Sequence, residues 1–158
     1  MTRIGVISDT HLRQASPELA QRVKQAWGPV DMILHAGDIT NLAVLDSLAP
    51  PEVIAVAGNM DSTPVKASLP DSRVVEVGGL RIGLAHGWGS PLGLGRRVAA
   101  AFQGVQAVVY GHSHRAANKV VDGVLLFNPG SAGGSRMAAP SVGLLVVDQG
   151  IEGHILKL

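Results

Sequence analysis

Hydrophobic residues in this chain occur in short runs, and most runs stop abruptly at a small polar cluster. Ile4 to Ser8 and Asp31 to His35 are rich in branched residues, which predicts strands. Between them Leu19, Ala20, Val23 and Trp27 keep a helical spacing; Ser16 suits the cap, Pro17 the first turn, and Gly28-Pro29 the stop. The pattern repeats: Asn41 to Leu48 predicts a short helix capped by Thr40, and Val53 to Ala57 a third buried strand ending at Gly58. Alternation of this kind favours a parallel sheet with chemical groups collected at the carboxyl ends of its strands.

After Arg73 the texture changes. Val74 to Val77 and Arg81 to Ala85 flank Gly78-Gly79, a tight-turn dipeptide that predicts a hairpin, and Asp122-Gly123 and Gln149-Gly150 predict two more. Leu92 to Phe102 predicts a helix and Ala107 to Tyr110 a strand. The expected fold class is α/β, two packed sheets with helices outside. With 158 residues, 46% of them hydrophobic, one domain spanning residues 1–158 is expected.

Composition narrows the chemistry. Lys plus Arg number 13 against 12 Asp plus Glu, with no long basic run, so a broad polyanion-binding face is disfavoured while a small anion is not. Only 3% of residues are aromatic, which argues further against nucleic acid. The absence of cysteine excludes disulfides, thiolate metal sites and cysteine nucleophiles, leaving nitrogen and oxygen ligands. The apolar runs fall short of the roughly 20 residues that span a bilayer, and no basic leader is visible; the expectation is a cytoplasmic protein without membrane contact.

The polar clusters carry the candidate function. They are Asp9-Thr10-His11, Gly37-Asp38, Gly58-Asn59-Met60-Asp61, His86-Gly87, His112-Ser113-His114 and Asn128-Pro129-Gly130-Ser131. Taken singly, Asp38 and Asn59 read as turn residues and His86 as a loop residue satisfying a carbonyl. Taken together, they all follow buried runs, and one shared site accounts for that with a single assumption. In extended backbone, residues two apart point to the same side, so Asp9 with His11, and His112 with His114, each offer two groups to one ion. Carboxylates held close together repel, and divalent cations relieve the conflict.

This ordered set resembles the calcineurin-like metallophosphoesterase superfamily, and is most similar to its small single-domain bacterial and archaeal phosphodiesterases. The Asn128 to Ser131 segment matches the same branch. The resemblance implies a four-layer αββα sandwich of two mixed sheets flanked by helices. It assigns Asp9, His11 and His114 to one ion and Asn59, His86 and His112 to a second, with Asp38 bridging; Asp9, Asp38, Asn59 and His86 form the implied catalytic set. Nitrogen and oxygen ligation suits divalent transition metals, manganese first and then iron, zinc, cobalt or nickel, better than calcium or magnesium. The implied reaction is in-line attack of a metal-activated hydroxide on a small phosphate ester, a diester above all. A phosphomonoesterase, or a protein-binding scaffold on the same fold, is the alternative. General frequency favours a homodimer or larger homo-oligomer, with no interface stripe to name.

One position departs from the pattern: where many relatives carry His directly after the motif Asn, this chain has Met60, whose thioether donates no proton. Its side chain is expected to pack beneath the loop. Asp61, lacking that His partner, is expected to cap the next segment. His35 is expected to be a hydrogen-bonded core residue, His154 has no link to the chemistry, and Asn128 to Ser131 are expected to support the centre. Arg13, Arg115 and Arg136 lie near site motifs in sequence, with solvated surface as their default. Gly93-Leu94-Gly95 lacks the third glycine of a dinucleotide-binding turn, because Val98 stands there.

Overall fold

A computed structural model describes residues Met1–Leu158. Strands β1 (Thr2–Ile7), β2 (Met32–His35) and β3 (Glu52–Ala55) run parallel, as the alternating units predict, and helix α1 (Pro17–Trp27) crosses between the first two. The Ser16 hydroxyl accepts from the Leu19 amide at 3.2 Å, and Pro17 opens the helix. Two strands from the far end of the chain, β9 (Ser141–Val147) and β10 (Ile151–Lys157), complete this sheet antiparallel to β1, giving the order β10-β9-β1-β2-β3.

The second sheet has the order β4-β5-β6-β8-β7, formed by β4 (Ser72–Val77), β5 (Leu80–Ala85), β6 (Ala107–Val109), β7 (Ala117–Val121) and β8 (Val124–Asn128). Its hairpins turn at Gly78-Gly79 and Asp122-Gly123, all four residues with positive φ, the backbone that matches strand twist in two-residue turns.

Strand periodicity sorts the core into layers. Ile4, Val6, Leu34, Val56, Ile82, Leu84, Val109 and Phe127 meet between the sheets. Ile7, Ile33 and Val142 face the other way and pack against Val23 and Trp27 of α1. Val108 and Leu126 on the second sheet's outer face meet Leu94 and Val98 of helix α4 (Leu94–Ala99). The result is a helix, sheet, sheet, helix stack of α/β class. No helix is long and apolar enough to cross a membrane.

Two helical expectations need correction, and one further helix is present. Helix α2 covers only Ala43–Leu48, and Thr40 does not cap it: its hydroxyl bonds the Leu12 carbonyl, and the Asn41 side chain receives the Ala43 amide instead at 2.9 Å. The helix expected over 92–102 is confined to α4, because Gly93 enters in a left-handed conformation (φ 69°) and the chain tightens after Ala99 into i to i−3 bonds at Ala101 and Phe102. Helix α3 (Thr63–Ser68) was not anticipated; it buries only Val65.

Candidate metal centre

The polar clusters lie where their strands end. Asp9 and His11 follow β1, Asp38 follows β2 and Asn59 follows β3, while His86 follows β5 and His112 and His114 follow β6. Both sheets therefore contribute, and all seven side chains come together. Asp9, Asp38 and His86 are buried at the floor; His11 and His114, each about one-third exposed, form part of the rim.

On one side, Asp9 Oδ1 lies 3.2 Å from His114 Nε2 and 3.7 Å from His11 Nε2. The two Nε2 atoms are 3.3 Å apart. On the other, Asn59 Oδ1 lies 3.0 Å from His86 Nε2 and 3.2 Å from His112 Nδ1. Asp38 Oδ2 faces both groups, 3.5 Å from His11 Nε2 and 3.3 Å from His86 Nε2.

Backbone groups fix which atoms are free. His86 Nδ1–H donates to the Ala36 carbonyl at 2.7 Å and His112 Nε2–H to that of Gly89 at 2.9 Å, which directs the remaining ring nitrogen of each toward Asn59. Asp9 Oδ2 accepts from the Ser8 hydroxyl at 2.6 Å and the His112 amide at 3.2 Å, whereas Oδ1 is buried without any hydrogen-bond donor. An orphaned carboxylate oxygen beside two imidazole nitrogens, and an amide oxygen facing two more, are acceptor sets that a cation satisfies. Asp9, His11, Asp38 and His114 each offer one atom within 4.8 Å of all the others. The donors fit a divalent transition metal.

Extended backbone does not explain this convergence, contrary to the spacing argument. Asp9, His11, Asp38, His112 and His114 all have φ between 49° and 69°, in the left-handed region. Such backbone is disfavoured outside glycine and persists where surrounding contacts over-determine it. Those contacts are visible. The Asp9 and His11 amides donate to the Gly37 and Asp38 carbonyls at 3.0 and 3.1 Å. Gly111 has no side chain, which lets Asp9 Oδ2 approach; a Cβ there would sit 2.6 Å from it.

The flanking residues divide into supports and bystanders. Asn128 donates to the Gly111 carbonyl at 2.9 Å and the Ser113 hydroxyl at 3.2 Å, and Ser131 donates to the Asp9 carbonyl at 2.9 Å, so this segment holds two of the loops that carry the cluster. Asp61 does not cap α3. Its carboxylate ties the loops after β2 and β3 together through the Thr40 amide at 2.5 Å and the Gly58 amide at 2.7 Å. Met60 does not pack beneath its loop; it is 62% exposed, and its amide supports Asp38 Oδ1 at 2.9 Å. His35 is fully buried, with Nδ1 accepting from Gly37 N–H and Nε2 facing the Thr10 hydroxyl; burial pushes its pKa down to about 3, so it stays neutral. Arg13, Arg115 and Arg136 are exposed, and His154 pairs with Glu152 at 3.3 Å away from the centre. Ser8 and Thr10 escaped the sequence reading, although both sit inside or beside its first cluster.

Charge in the centre is coupled. The facing Asp9 carboxylate raises the His11 pKa above its ordinary value, with burial opposing and Asp38 reinforcing. Burial works against the charged form of His86, but Asp38 and Asp9 outweigh it and its pKa also rises. Burial likewise opposes ionisation of Asp38, yet the His86 contact and the Met60 amide leave its pKa lowered. At pH below those raised pKa values an entering cation must displace protons from His11 and His86, so affinity is expected to rise with pH through them. Titration calorimetry with Mn2+ in two buffers of different ionisation enthalpy is expected to show net proton release, growing as pH falls; identical heats in both buffers would contradict this.

A two-sheet sandwich with carboxylate and imidazole donors gathered at its strand ends defines an α/β protein with a candidate metal site. Residues 2–150 match the family model described as a calcineurin-like phosphoesterase superfamily domain. The chain is 38% identical over 150 residues to a protein of Methanothermobacter thermautotrophicus named "Probable metallophosphoesterase", covering 92% of this chain and 86% of that one. It belongs to the calcineurin-like phosphoesterase superfamily. Among solved structures, an archaeal phosphodiesterase superimposes with a TM-score of 0.81 at 25% identity, covering 99% of both chains. Vps29 of Entamoeba histolytica, crystallised with zinc, superimposes with a TM-score of 0.71 at 26% identity over 98% of both.

Proposed function

We propose that this protein is a phosphodiesterase whose centre holds two divalent transition-metal ions. The observation that carries the reading is Asp38 Oδ2, poised between Asp9, His11 and His114 on one side and Asn59, His86 and His112 on the other. When bound, the ion pair supplies an acidified water as nucleophile and neutralises charge on the phosphoryl oxygens. Manganese is the first choice of metal, with iron, zinc, cobalt and nickel suited to the same donors. Asp9 and Asp38 are the only carboxylates in the seven-residue set, so two dications leave a positive surplus that attracts a phosphate ester. Ala36 and Gly89 hold the rings of His86 and His112 in fixed tautomers. The likeness to an archaeal phosphodiesterase favours diesters over monoesters.

The test combines metal analysis with hydrolysis of bis(p-nitrophenyl) phosphate and p-nitrophenyl phosphate. Two ions per chain and faster turnover of the diester are expected; a metal-loaded protein inert to both esters would end the proposal. The likeness to Vps29 supports a second reading, a protein-contact scaffold, and partner binding that is indifferent to metal would favour it. Retention of every donor type in one converged cluster favours the enzyme.

Leaving-group protonation sets the expected substrate range. Every imidazole of the cluster is directed at its centre, and the residue after Asn59 presents an exposed thioether. A positioned general acid contributes roughly 10² to 10⁴ in rate, and its absence weighs on alkoxide departure far more than on nitrophenolate. Aryl diesters are therefore expected to turn over at least a hundredfold faster than alkyl ones. Met60→His is expected to raise kcat on an alkyl diester about tenfold or more, with little change on the aryl one. Equal rates on both ester classes in the parent protein would contradict this account.

A further inference from the structure

Beside the Asn59 and His86 half of the centre lies a cavity of about 580 Å³, within the range of roughly 300 to 1,000 Å³ typical of small-molecule sites. Asn59 and His86 form part of its wall; Trp88, Lys66, Asp71 and Ser72 line the remainder with neighbouring backbone. The chain has two Trp, one Tyr and two Phe. Trp27, Phe127 and Tyr110 are buried and Phe102 is packed against the core, whereas Trp88 is 48% exposed. The one aromatic face open to solvent thus stands in a cavity that shares two walls with the metal centre.

Its backbone is held from both directions. Arg97 donates to the Trp88 carbonyl at 3.0 and 2.7 Å and to the Leu92 carbonyl at 3.3 Å, and also bonds the Ser90 carbonyl, so one guanidinium clamps the whole loop. Gly89, the next residue, accepts from His112 Nε2 at 2.9 Å, and His86 lies two residues before. A half-exposed indole on a loop fastened to two ring ligands has little freedom to drift from the centre. Flat rings stack well on an indole held in this way.

We infer that Trp88 is a stacking platform for a flat ester group of the phosphodiester substrate, a single nucleobase or an aryl ring, with the Asn59, His86 and Trp88 cavity as its subsite. The inference rests on the phosphodiesterase reading for its substrate class. Lys66 sits at the same wall with Nζ donating to the Asn59 carbonyl at 3.0 Å, near enough to add an ammonium charge to a site for anions. One ring is accommodated, not a nucleic acid strand, because no second exposed aromatic continues the platform.

The test has a binding arm that does not depend on turnover. Trp27 is fully enclosed, so ligand-dependent change in indole emission is expected to come from Trp88 and to vanish in Trp88→Phe. Adenosine 5′-monophosphate and phenyl phosphate are expected to quench the Mn2+-loaded protein, whereas ribose 5-phosphate and inorganic phosphate bind without quenching. Tighter binding of the adenosine probe assigns a nucleobase, and tighter binding of phenyl phosphate a simple aryl group. In the kinetic arm, Trp88→Ala is expected to raise KM for the favoured diester about tenfold with kcat nearly unchanged, since stacked rings lose about that much or more on removal of the aromatic; Trp88→Phe should recover most of it. Equal quenching by ribose 5-phosphate and the adenosine probe, or a Trp88→Ala effect confined to kcat, overturns the inference. Failure of all diester hydrolysis with ring-specific quenching intact would instead strike the phosphodiesterase reading and leave the platform standing.

Discussion

Asp38→Ala is expected to lower kcat/KM on an aryl phosphodiester by at least a thousandfold, roughly 4 kcal/mol of transition-state stabilisation, and to leave at most one metal ion per chain. The size follows from position. Asp38 Oδ2 is 3.5 Å from His11 Nε2 and 3.3 Å from His86 Nε2, so its loss removes one negative donor from both halves of the cluster at once. Removal of a single stabilising donor in an enzyme commonly lowers kcat by about 10² to 10³, and a group serving both halves should exceed that range. Asp38→Asn separates charge from shape: it keeps an oxygen for the Met60 amide and loses the carboxylate. It should fold like the parent and still lose most activity. Metal content by elemental analysis and kcat/KM by p-nitrophenolate release check both variants. Two retained ions with activity within tenfold of the parent would remove Asp38 from its bridging role.

Depletion of divalent ions is expected to abolish turnover and also to loosen the fold. Asp9, His11, Asp38 and Asn59 come from one sheet and His86, His112 and His114 from the other, so any ion held among them links the two layers. Ligand bound only to the folded state at a thousandfold excess over Kd adds about 4 kcal/mol of stability. For a domain of this size that corresponds to a rise in Tm of roughly 10 °C. Scanning fluorimetry of EDTA-treated protein, followed by graded return of Mn2+, should show the rise and the recovery of hydrolysis over the same concentration range. A Tm unmoved by Mn2+ while activity persists in EDTA would overturn the metal assignment altogether.

Much of this was legible along the chain because its elements announce themselves locally. Ser16-Pro17 opens α1 and Gly28 closes it, and Gly78-Gly79 and Asp122-Gly123 turn the hairpins of the second sheet. The order of polar clusters marked the seven residues that meet. What escaped depends on distant partners. Thr40 looks like a cap, but the Leu12 carbonyl and the Asp61 carboxylate take its hydroxyl and amide. Asp61 looks like the cap of α3 and instead ties two loops. The pairs Asp9 and His11, and His112 and His114, converge through left-handed backbone that no period-two pattern announces. Helix α3 has one buried residue, too little apolar signal to register, and the run from Leu92 to Phe102 hides a left-handed Gly93 that delays its helix.

Five of the seven converging side chains ride on backbone that glycine would tolerate with less strain. A laboratory search for heat tolerance, run on metal-free protein without demanding turnover, would thus find rewards within the cluster itself, and the sturdier descendants would be those that had forgotten their chemistry.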